Sequence, residues 1–159
     1  MTKKYSKFFS AAADFNLDHS PYYWVTQVHA QYVKNVDHAL KKYGLDNSRR
    51  RILLALKAKP QASVSELSEM VISKMSTTTK IIYRLKDEGL VNTYSCEDDA
   101  RITRVVLTDK GQQMAQKIND LSHIVLDQSF DGLTPLQIKK MLESLKLIFR
   151  NLAHWSKYN

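Results

Sequence analysis

The stretch 73–108 constrains the fold most, because it combines a helical pattern, a glycine stop and two extended segments. Residues that recur at steps of three and four predict a helix with one buried face, and they are Thr78, Ile81, Ile82 and Leu85. Gly89 then stands where a helix commonly ends in a left-handed residue. Leu90 and Val91 begin an extended segment, and the alternating segment 102–107 is typical of a returning strand. The pattern predicts a helix followed at once by a two-stranded hairpin.

The outward face of this helix carries small hydroxyls near its start and cations further along: Ser76, Thr77, Lys80, Tyr83, Arg84 and Asp87. Short hydroxyl side chains can approach base edges and phosphates closely, while lysine and arginine supply long donors. This face therefore suits the major groove of DNA. An ordinary solvated helix face has a similar composition, so the helix alone leaves both interpretations open.

The hairpin favours the DNA interpretation. Its tip, 95–101, is too polar for a core, and Arg101 and Arg104 lie on its far side. A helix followed by a hairpin with a basic flank is typical of a winged helix, whose wing can reach phosphates or the minor groove. The acidic run 97–99 is interpreted as a turn in which Asp99 orients Arg101, since one short run cannot supply the six or more oxygens of a calcium site.

These residues resemble a known family. The matching positions are Ser76, Thr77, Thr79, Lys80, Arg84, Leu85, Gly89, Leu90 and Val91, then Asp99 and Arg101 as D-x-R, then Val105, Leu107, Thr108 and Gly111. Together they resemble the MarR family of bacterial transcription regulators. The resemblance implies a homodimer with one winged helix-turn-helix per subunit, a pseudo-palindromic DNA operator and release by a small ligand. The chain departs from the family with Thr93 and Ser95 early in the wing, and with Ile72 where a glycine is usual.

The DNA-binding residues predicted from the pattern and the resemblance are Ser76, Thr77, Thr79, Lys80, Arg84, Arg101 and Arg104. Composition agrees with a nucleic-acid partner, because 24 lysines and arginines against 16 acids give a formal charge of +8. Anionic membranes would also attract this charge, but no apolar run approaches the roughly 18 residues of a membrane span. The N-terminus also lacks the apolar region of a signal peptide. We therefore expect a cytoplasmic protein without a membrane partner.

Helix signals continue on both sides of this stretch. Ser20 and Pro21 predict the start of a long helix that stops at Gly44, and Asp46 predicts the cap of a second helix reaching Lys57. Ser63 and Glu66 predict a capping box for the first helix of the helix-turn-helix.

Two further helices are predicted after the wing. Thr108 caps the first, the segment 129–133 breaks it, and Thr134, Pro135 and Gln137 start the last. The last helix carries apolar residues over too wide an arc for one neighbour: Ile138, Met141, Leu142, Leu145, Ile148, Phe149, Leu152 and Trp155. We expect the first, fifth and last helices to pack against a second subunit.

The predicted fold class is mainly α with a small β-hairpin wing, a winged helix-turn-helix plus a helical dimerisation region. We expect a single domain over 1–159, with a DNA-binding lobe at about 45–110 and a dimerisation region formed by about 20–44 and 108–158.

Enzyme signatures are missing from the sequence. It has no G-x-S-x-G, no P-loop and no H-E-x-x-H, and it contains only four glycines. We therefore predict no catalytic residues and no cofactor. The histidines show no ligand spacing with a cysteine or carboxylate, which predicts no metal site. Cys96, the single cysteine, excludes an internal disulfide; its acidic neighbours argue against a redox-sensing thiol, although a redox-sensing regulator remains an alternative.

Arg50 is the candidate for a ligand contact. The resemblance implies an inward position there, where the family commonly has an aromatic or apolar residue. A buried arginine is unfavourable unless an anion meets it, and guanidinium groups bind carboxylates bidentately. The first helix offers aromatic side chains for the same ligand: Trp24, Tyr22, Tyr23 and Tyr32. Two alternatives stay open, in which Arg50 reaches outward to solvent or pairs with Asp46.

The sequence thus predicts a ligand-responsive DNA-binding transcription regulator, a repressor of a catabolic or efflux operon released by a small aromatic carboxylic acid. Its expected partners are double-stranded operator DNA, a second copy of the chain and that acid. A winged-helix protein-interaction module within a transcription assembly is the alternative from another class.

Overall fold

The computed structural model describes residues 16–96 and 99–155, with Trp155 described by its backbone alone. Over these ranges the chain is mainly helical, with one hairpin. The elements are α1 (Pro21–Leu40), α2 (Asn47–Ala58), α3 (Val64–Met70), α4 (Met75–Asp87), β1 (Val91–Ser95), β2 (Thr103–Leu107), α5 (Asp109–Ser129) and α6 (Pro135–Trp155). Short 3-10 turns occupy Leu17–His19 and Lys41–Tyr43. The predicted fold class is confirmed.

Side-chain caps begin the helices where the sequence predicts them. The Ser20 hydroxyl accepts from the backbone N–H of Tyr23, and the Asp46 carboxylate accepts from that of Arg49 at 2.9 Å. The capping box of α3 is complete: the Glu66 N–H donates to Ser63 Oγ at 3.2 Å, and the Ser63 N–H donates to Glu66 Oε2 at 2.6 Å. Thr108 and Thr134 cap α5 and α6, since their hydroxyls accept from the N–H groups of Gly111 and Gln137. These local signals explain why the predicted boundaries agree with the structure.

Helices α2, α3 and α4 surround a shared apolar core. The buried side chains that they contribute include Ile52, Leu53, Leu56, Leu67, Ile82 and Leu85. Val91 and Val105 extend this core into the hairpin, since both are completely buried. The core leaves one face of α4 free to meet another molecule.

The hairpin is antiparallel, with a register that runs from Val91 opposite Leu107 to Ser95 opposite Thr103. A third segment joins it, because the Val105 N–H donates to the Ala62 carbonyl at 3.0 Å and Ser63 forms an isolated bridge with Arg104. The sequence gives no alternation that predicts this third segment. It attaches the base of the wing to the start of α3.

Two turns set the direction of α4. Gly89, with φ of 69°, ends the helix as predicted. Before the helix, Ile72 has φ of 48° and a side chain that is 84% exposed. A β-branched residue rarely adopts this left-handed region, so the turn keeps the geometry of a glycine position while carrying an isoleucine.

The start of α5 lies against the link between α4 and β1. A Cβ atom at Gly111 would lie only 1.9 Å from the Leu90 carbonyl oxygen, so a glycine is required for this approach. The Thr108 hydroxyl donates to the Gly89 carbonyl at 2.7 Å, and Lys110 Nζ donates to the Glu88 carbonyl at 2.7 Å. The end of α4 is therefore held from the α5 side as well as from the core.

The chain divides into two compact units, residues 1–122 and 123–159, with the boundary inside α5. The first contains the three-helix core and the hairpin, and the second contains the end of α5 and all of α6. This boundary differs from the predicted limits of lobe and dimerisation region, and the single domain remains an expectation. Within the described ranges, no helix is long and apolar enough to cross a membrane.

Candidate nucleic-acid interface and a buried arginine cluster

Helix α4 presents the face that the sequence predicts. Thr78, Ile82 and Leu85 point into the core, since each is at most 3% exposed. The opposite side carries the exposed residues Ser76, Thr77, Lys80, Tyr83, Arg84 and Asp87. We call these six residues the recognition face.

The predicted contact Thr79 lies at the edge of the recognition face. Its side chain is half-buried, and its hydroxyl donates to the Met75 carbonyl at 2.8 Å within the helix. Tyr83, in contrast, is 62% exposed and follows Ser76 by seven residues, so the two share one side of α4. The sequence pattern placed Tyr83 on the outward face but not among the predicted contacts.

Arg101 stands at the wing tip, with its side chain 90% exposed. Asp99 holds it by a bidentate pair, Nε to Oδ1 at 3.0 Å and Nη2 to Oδ2 at 2.9 Å. This bond lowers the pKa of the Asp99 carboxyl and raises the pKa of Arg101. The predicted orienting role of Asp99 is confirmed, while Glu97 and Asp98 of the same acidic run lie outside the described residues.

Arg104 forms its contacts with α3 and the segment before it, and its predicted contact with DNA stays a prediction. Its Nη1 donates to Glu66 Oε2 at 3.2 Å and to the Gln61 carbonyl at 3.3 Å, and its side chain is 32% exposed. Because β2 pairs with the Ala62–Ser63 segment, Arg104 lies beside the start of α3 and is partly exposed. Its guanidinium braces the wing against the helix-turn-helix.

Glu66 connects three elements. Besides capping α3 and pairing with Arg104, it accepts from Lys59 Nζ at 2.7 Å. The hydrogen bond from Lys59 and then that from the Ser63 backbone lower the pKa of Glu66 from 4.5 to about 2. The carboxylate thus joins the end of α2, the start of α3 and the base of the wing.

A second polar cluster surrounds Arg50, which is 8% exposed on α2. Its guanidinium donates to Tyr32 Oη at 2.5 Å, Asn47 Oδ1 at 3.0 Å and Ser122 Oγ at 3.3 Å. The ring of Tyr32 also lies 5.5 Å from Arg50 Cζ. All three partners are neutral. Within the described ranges no carboxylate forms an ion pair with Arg50.

Both alternatives considered for Arg50 disagree with the structure. The side chain is buried, so it does not reach out to solvent. Asp46 instead caps α2 and pairs with Arg49 Nε at 3.2 Å. Sequence reasoning missed Ser122, because no local pattern connects α2 with α5. It also missed Asn47, although the spacing of three residues on α2 could have indicated this contact.

Of the four aromatic residues predicted near Arg50, the structure brings only Tyr32 into contact with it. Trp24 precedes Tyr32 by eight residues, which is about 12 Å along a helix. Its Nε1 donates to the Asp18 carbonyl at 3.0 Å, and its ring meets that of Tyr23 edge-on at 5.3 Å. Tyr22 is exposed and is the second residue of α1.

The described residues bear on the sequence predictions for a metal site and for a redox-sensing cysteine. No group of three histidine, cysteine, aspartate or glutamate side chains there could hold a metal ion. Cys96 is half-buried beside the wing tip, and its N–H donates to the Ile102 carbonyl at 2.8 Å. A redox role for Cys96 stays untested.

Three helices followed by a hairpin, with hydroxyls and cations on the exposed side of the third helix, define a winged helix-turn-helix DNA-binding protein. The model of the MarR family matches residues 45–103. A transcriptional repressor of Pseudomonas putida, IacR, is 37% identical over 142 residues, which cover 89% of this chain and 85% of the relative. The chain therefore belongs to the MarR family, and it is a transcriptional regulator and not an enzyme.

Solved structures agree on the fold. The Bordetella bronchiseptica regulator BpsR, whose DNA binding is regulated by 6-hydroxynicotinic acid, has a TM-score of 0.77 and 17% identity, over 86% of this chain and 97% of that one. A mutant MarR from E. coli, complexed with operator DNA, has a TM-score of 0.73 and 17% identity, over 79% and 90%. At these identities the likeness concerns the fold alone.

Glu66→Gln should reveal the pH dependence of the Glu66 contacts. The folded-state pKa of Glu66 is lowered from 4.5 to about 2, so its charge stabilises the fold above pH 4.5, and this contribution is lost as the pH falls toward 2. In urea unfolding, the free energy of unfolding of the variant should be lower than that of wild type by a constant amount near neutrality. This difference should decrease to zero between pH 4.5 and 2.

Glu69→Gln is the matched control, the same change nearly one turn further along α3 at an exposed side chain. A Glu66→Gln difference that did not vary over this pH range would contradict the charged role of Glu66.

Proposed function

We propose that this chain is a dimeric repressor that binds a pseudo-palindromic operator and is released by a small aromatic carboxylic acid. The observation that carries the proposal is the recognition face of α4, exposed opposite a buried side and followed by a wing that displays Arg101. The name of the Pseudomonas putida relative supports the repressing sign. The regulated genes that fit an acid effector are those for its catabolism or efflux.

The chemistry of the recognition face supports major-groove reading. Ser76 and Thr77 lie in the first turn of α4, where short hydroxyls can approach the base edges or phosphates. Lys80 and Arg84 follow at one and two turns and can reach guanine O6 and N7. The formal charge of +8 adds attraction to phosphates of any sequence.

The wing supports a different kind of contact. Arg101 is held by Asp99 and is otherwise exposed, so it can meet a phosphate or the adjacent minor groove. Arg104 is engaged with Glu66 and braces the wing from behind. In the proposed complex Arg101 contacts DNA, whereas Arg104 keeps the wing in place.

Lys80→Ala and Arg84→Ala should weaken operator binding by about 1–3 kcal/mol and change the preferred sequence, if each reads a base edge. Arg101→Ala should weaken binding to all sequences and reduce the salt dependence by about one counterion. The probe is a duplex selected from a random library with the wild-type protein, and binding is measured by fluorescence anisotropy at several salt concentrations.

Lys57→Ala is the control for charge removal, because Lys57 bonds Gln116 and lies on neither α4 nor the wing. If Lys80→Ala, Arg84→Ala and Arg101→Ala all bind like wild type, the interface is misplaced. If wild type selects no duplex at all, a protein-interaction module becomes the better description.

Helix α6 supports the dimer. Its apolar residues are between 37% and 70% exposed in the single chain: Met141, Leu142, Leu145, Leu147, Ile148, Phe149 and Leu152. A stable soluble protein rarely leaves such a continuous apolar surface uncovered. A second copy of the chain, related by a two-fold axis, would cover it and place two recognition faces on one operator.

Sedimentation at micromolar concentration should show a dimer. The two half-sites of its operator should lie about one helical turn of DNA apart, near 10 base pairs. Leu145→Glu should give a monomer with weakened operator binding, because a charge cannot remain in a buried apolar interface. Lys139→Glu, a change on the polar side of the same helix, should leave the dimer intact. A wild-type monomer that binds the palindrome fully would contradict the proposal.

Arg50 supports the acid effector. Of the five N–H donors of a guanidinium, three are engaged with neutral oxygens, which leaves two for a ligand. A buried cation without a carboxylate is unfavourable, so binding an anion there stabilises the site. Tyr32 supplies an aromatic contact, and reaching Trp24 requires a ligand whose ring stands off its carboxylate, such as an arylacetate or cinnamate.

Arg50→Ala should lose the response to an aromatic acid but should still bind the operator, because Arg50 lies off the recognition face. Arg50→Lys should keep only part of the response to the acid, since lysine lacks the bidentate guanidinium fork. In wild type, a coupling of about 1–3 kcal/mol should lower operator affinity roughly 5- to 150-fold. The measurement is calorimetry with benzoate, phenylacetate and cinnamate, compared with their amides, followed by operator titration.

Arg51→Ala serves as the control, a neighbouring arginine outside the cluster. Equal binding of amides and acids, or a full response by Arg50→Ala, would rule out the carboxylate assignment and favour a neutral phenolic effector.

A further inference from the structure

The first turn of α2 carries two adjacent arginines with different partners. Arg50 meets Tyr32, Asn47 and Ser122, as described above. Arg49 points elsewhere, because successive residues of a helix diverge by about 100°. Its guanidinium donates to Asp46, to the Gly44 carbonyl at 2.6 Å and to the carboxylate of Glu88.

Glu88 directly follows the last residue of α4, the helix with the recognition face. It is the C-cap, and its N–H donates to the Arg84 carbonyl at 3.0 Å. The next two amides also bond to the end of the helix. The Gly89 N–H donates to the Lys86 carbonyl at 2.9 Å, and the Leu90 N–H donates to the Leu85 carbonyl at 2.8 Å. Arg49 is therefore a side-chain connection between α2 and the end of the recognition helix.

This ion pair is partly shielded from solvent. The side chain of Arg49 is 17% exposed and that of Glu88 is 37% exposed. Arg49 is also fixed at its base, since the Asp46 carboxylate accepts from both its N–H and its Nε. A guanidinium held at several points transmits a displacement of its helix more directly than a flexible surface lysine does.

The Arg50 cluster bears on the same turn. Asn47, the first residue of α2, accepts from Arg50 through Oδ1, and its own N–H donates to Asp37 Oδ1 at 2.6 Å. A carboxylate that binds the two remaining N–H groups of Arg50 draws the guanidinium toward it and weakens its bonds to Asn47, Tyr32 and Ser122, because charge-assisted bonds are the stronger ones. Occupancy at Arg50 therefore rearranges the contacts that hold the first turn of α2.

We infer that Arg49 is a positioning residue, which couples anion occupancy at Arg50 to the end of the recognition helix through Glu88. The inference rests on the proposed function and deepens it by naming the connection between effector and DNA. When the first turn of α2 shifts, Glu88 follows Arg49, and the recognition face changes its orientation relative to the core.

Glu88→Gln tests this coupling, because it keeps the shape of the side chain and removes the charge. With the acid from the calorimetric panel that binds wild type, the variant should bind that acid with wild-type affinity. We define the acid factor as the operator affinity without the acid divided by the affinity with it. It should be roughly 5 to 150 for wild type and close to one for Glu88→Gln. Arg49→Lys should keep part of the factor. A merely structural pair would lower the melting temperature and leave the factor unchanged.

A second measurement needs no acid. Hydrogen exchange of the amides of residues 88–90 reports on the α4 end, since all three are hydrogen-bonded. Arg50→Met should speed their exchange in the wild-type background but not in the Glu88→Gln background. Arg51→Met, the same change at the neighbouring arginine outside the cluster, should leave their exchange unchanged in both.

The two measurements separate the possible failures. If Arg50→Met leaves residues 88–90 unaffected, or if the acid factor survives in Glu88→Gln, the coupling through Arg49 is overturned. If no acid of the panel binds wild type while Arg50→Met still acts through Glu88, the coupling stands and the effector class is wrong.

Discussion

The close approach of α5 to the end of α4 is the contact on which the recognition helix depends. At Gly111 the two backbones come so near that a Cβ atom would lie 1.9 Å from the Leu90 carbonyl oxygen. The carbonyls of residues 88–90 all accept hydrogen bonds from Thr108 or Lys110. A helix end that is followed by hydrogen-bonded carbonyls, and that touches backbone directly, is held in place by its neighbours. The orientation of the recognition face is consequently set where α2, α4 and α5 meet.

The sequence predicts most of the fold because its signals are local. Ser63 and Glu66 are three residues apart, and the caps of α1, α5 and α6 are equally short-range, so each helix start can be found without tertiary information. The contacts that organise the candidate sites are different. Arg49 and Glu88 are 39 residues apart, Arg104 and Glu66 are 38 apart, and Arg50 and Ser122 are 72 apart. No periodicity reports such pairings. The contacts of Arg104 with Glu66 and of Arg50 with Ser122 therefore lie beyond what local patterns predict.

Ile72 shows where local preference and tertiary structure disagree. A left-handed, β-branched residue costs roughly 1–3 kcal/mol, and an 84% exposed side chain gains little packing to offset it. The buried hydroxyl of Thr78 is a second such place, because it has no hydrogen-bond partner in the described residues. Both residues lie in or immediately before the recognition helix. Local conformations that destabilise a protein are common at functional sites, where the position of a side chain matters more than the stability of the fold.

The divergence of Arg49 and Arg50 has a practical consequence. One turn of α2 faces Tyr32, Asn47 and Ser122 with one arginine and the end of α4 with the next, so the proposed input and output of the regulator occupy separate positions of a single helix. A biosensor for a different compound can therefore be sought by redesigning position 50 and its neighbours Tyr32, Asn47 and Ser122. Position 49 and its partner on α4 would stay unchanged, and the new recognition chemistry would inherit the existing transcriptional readout.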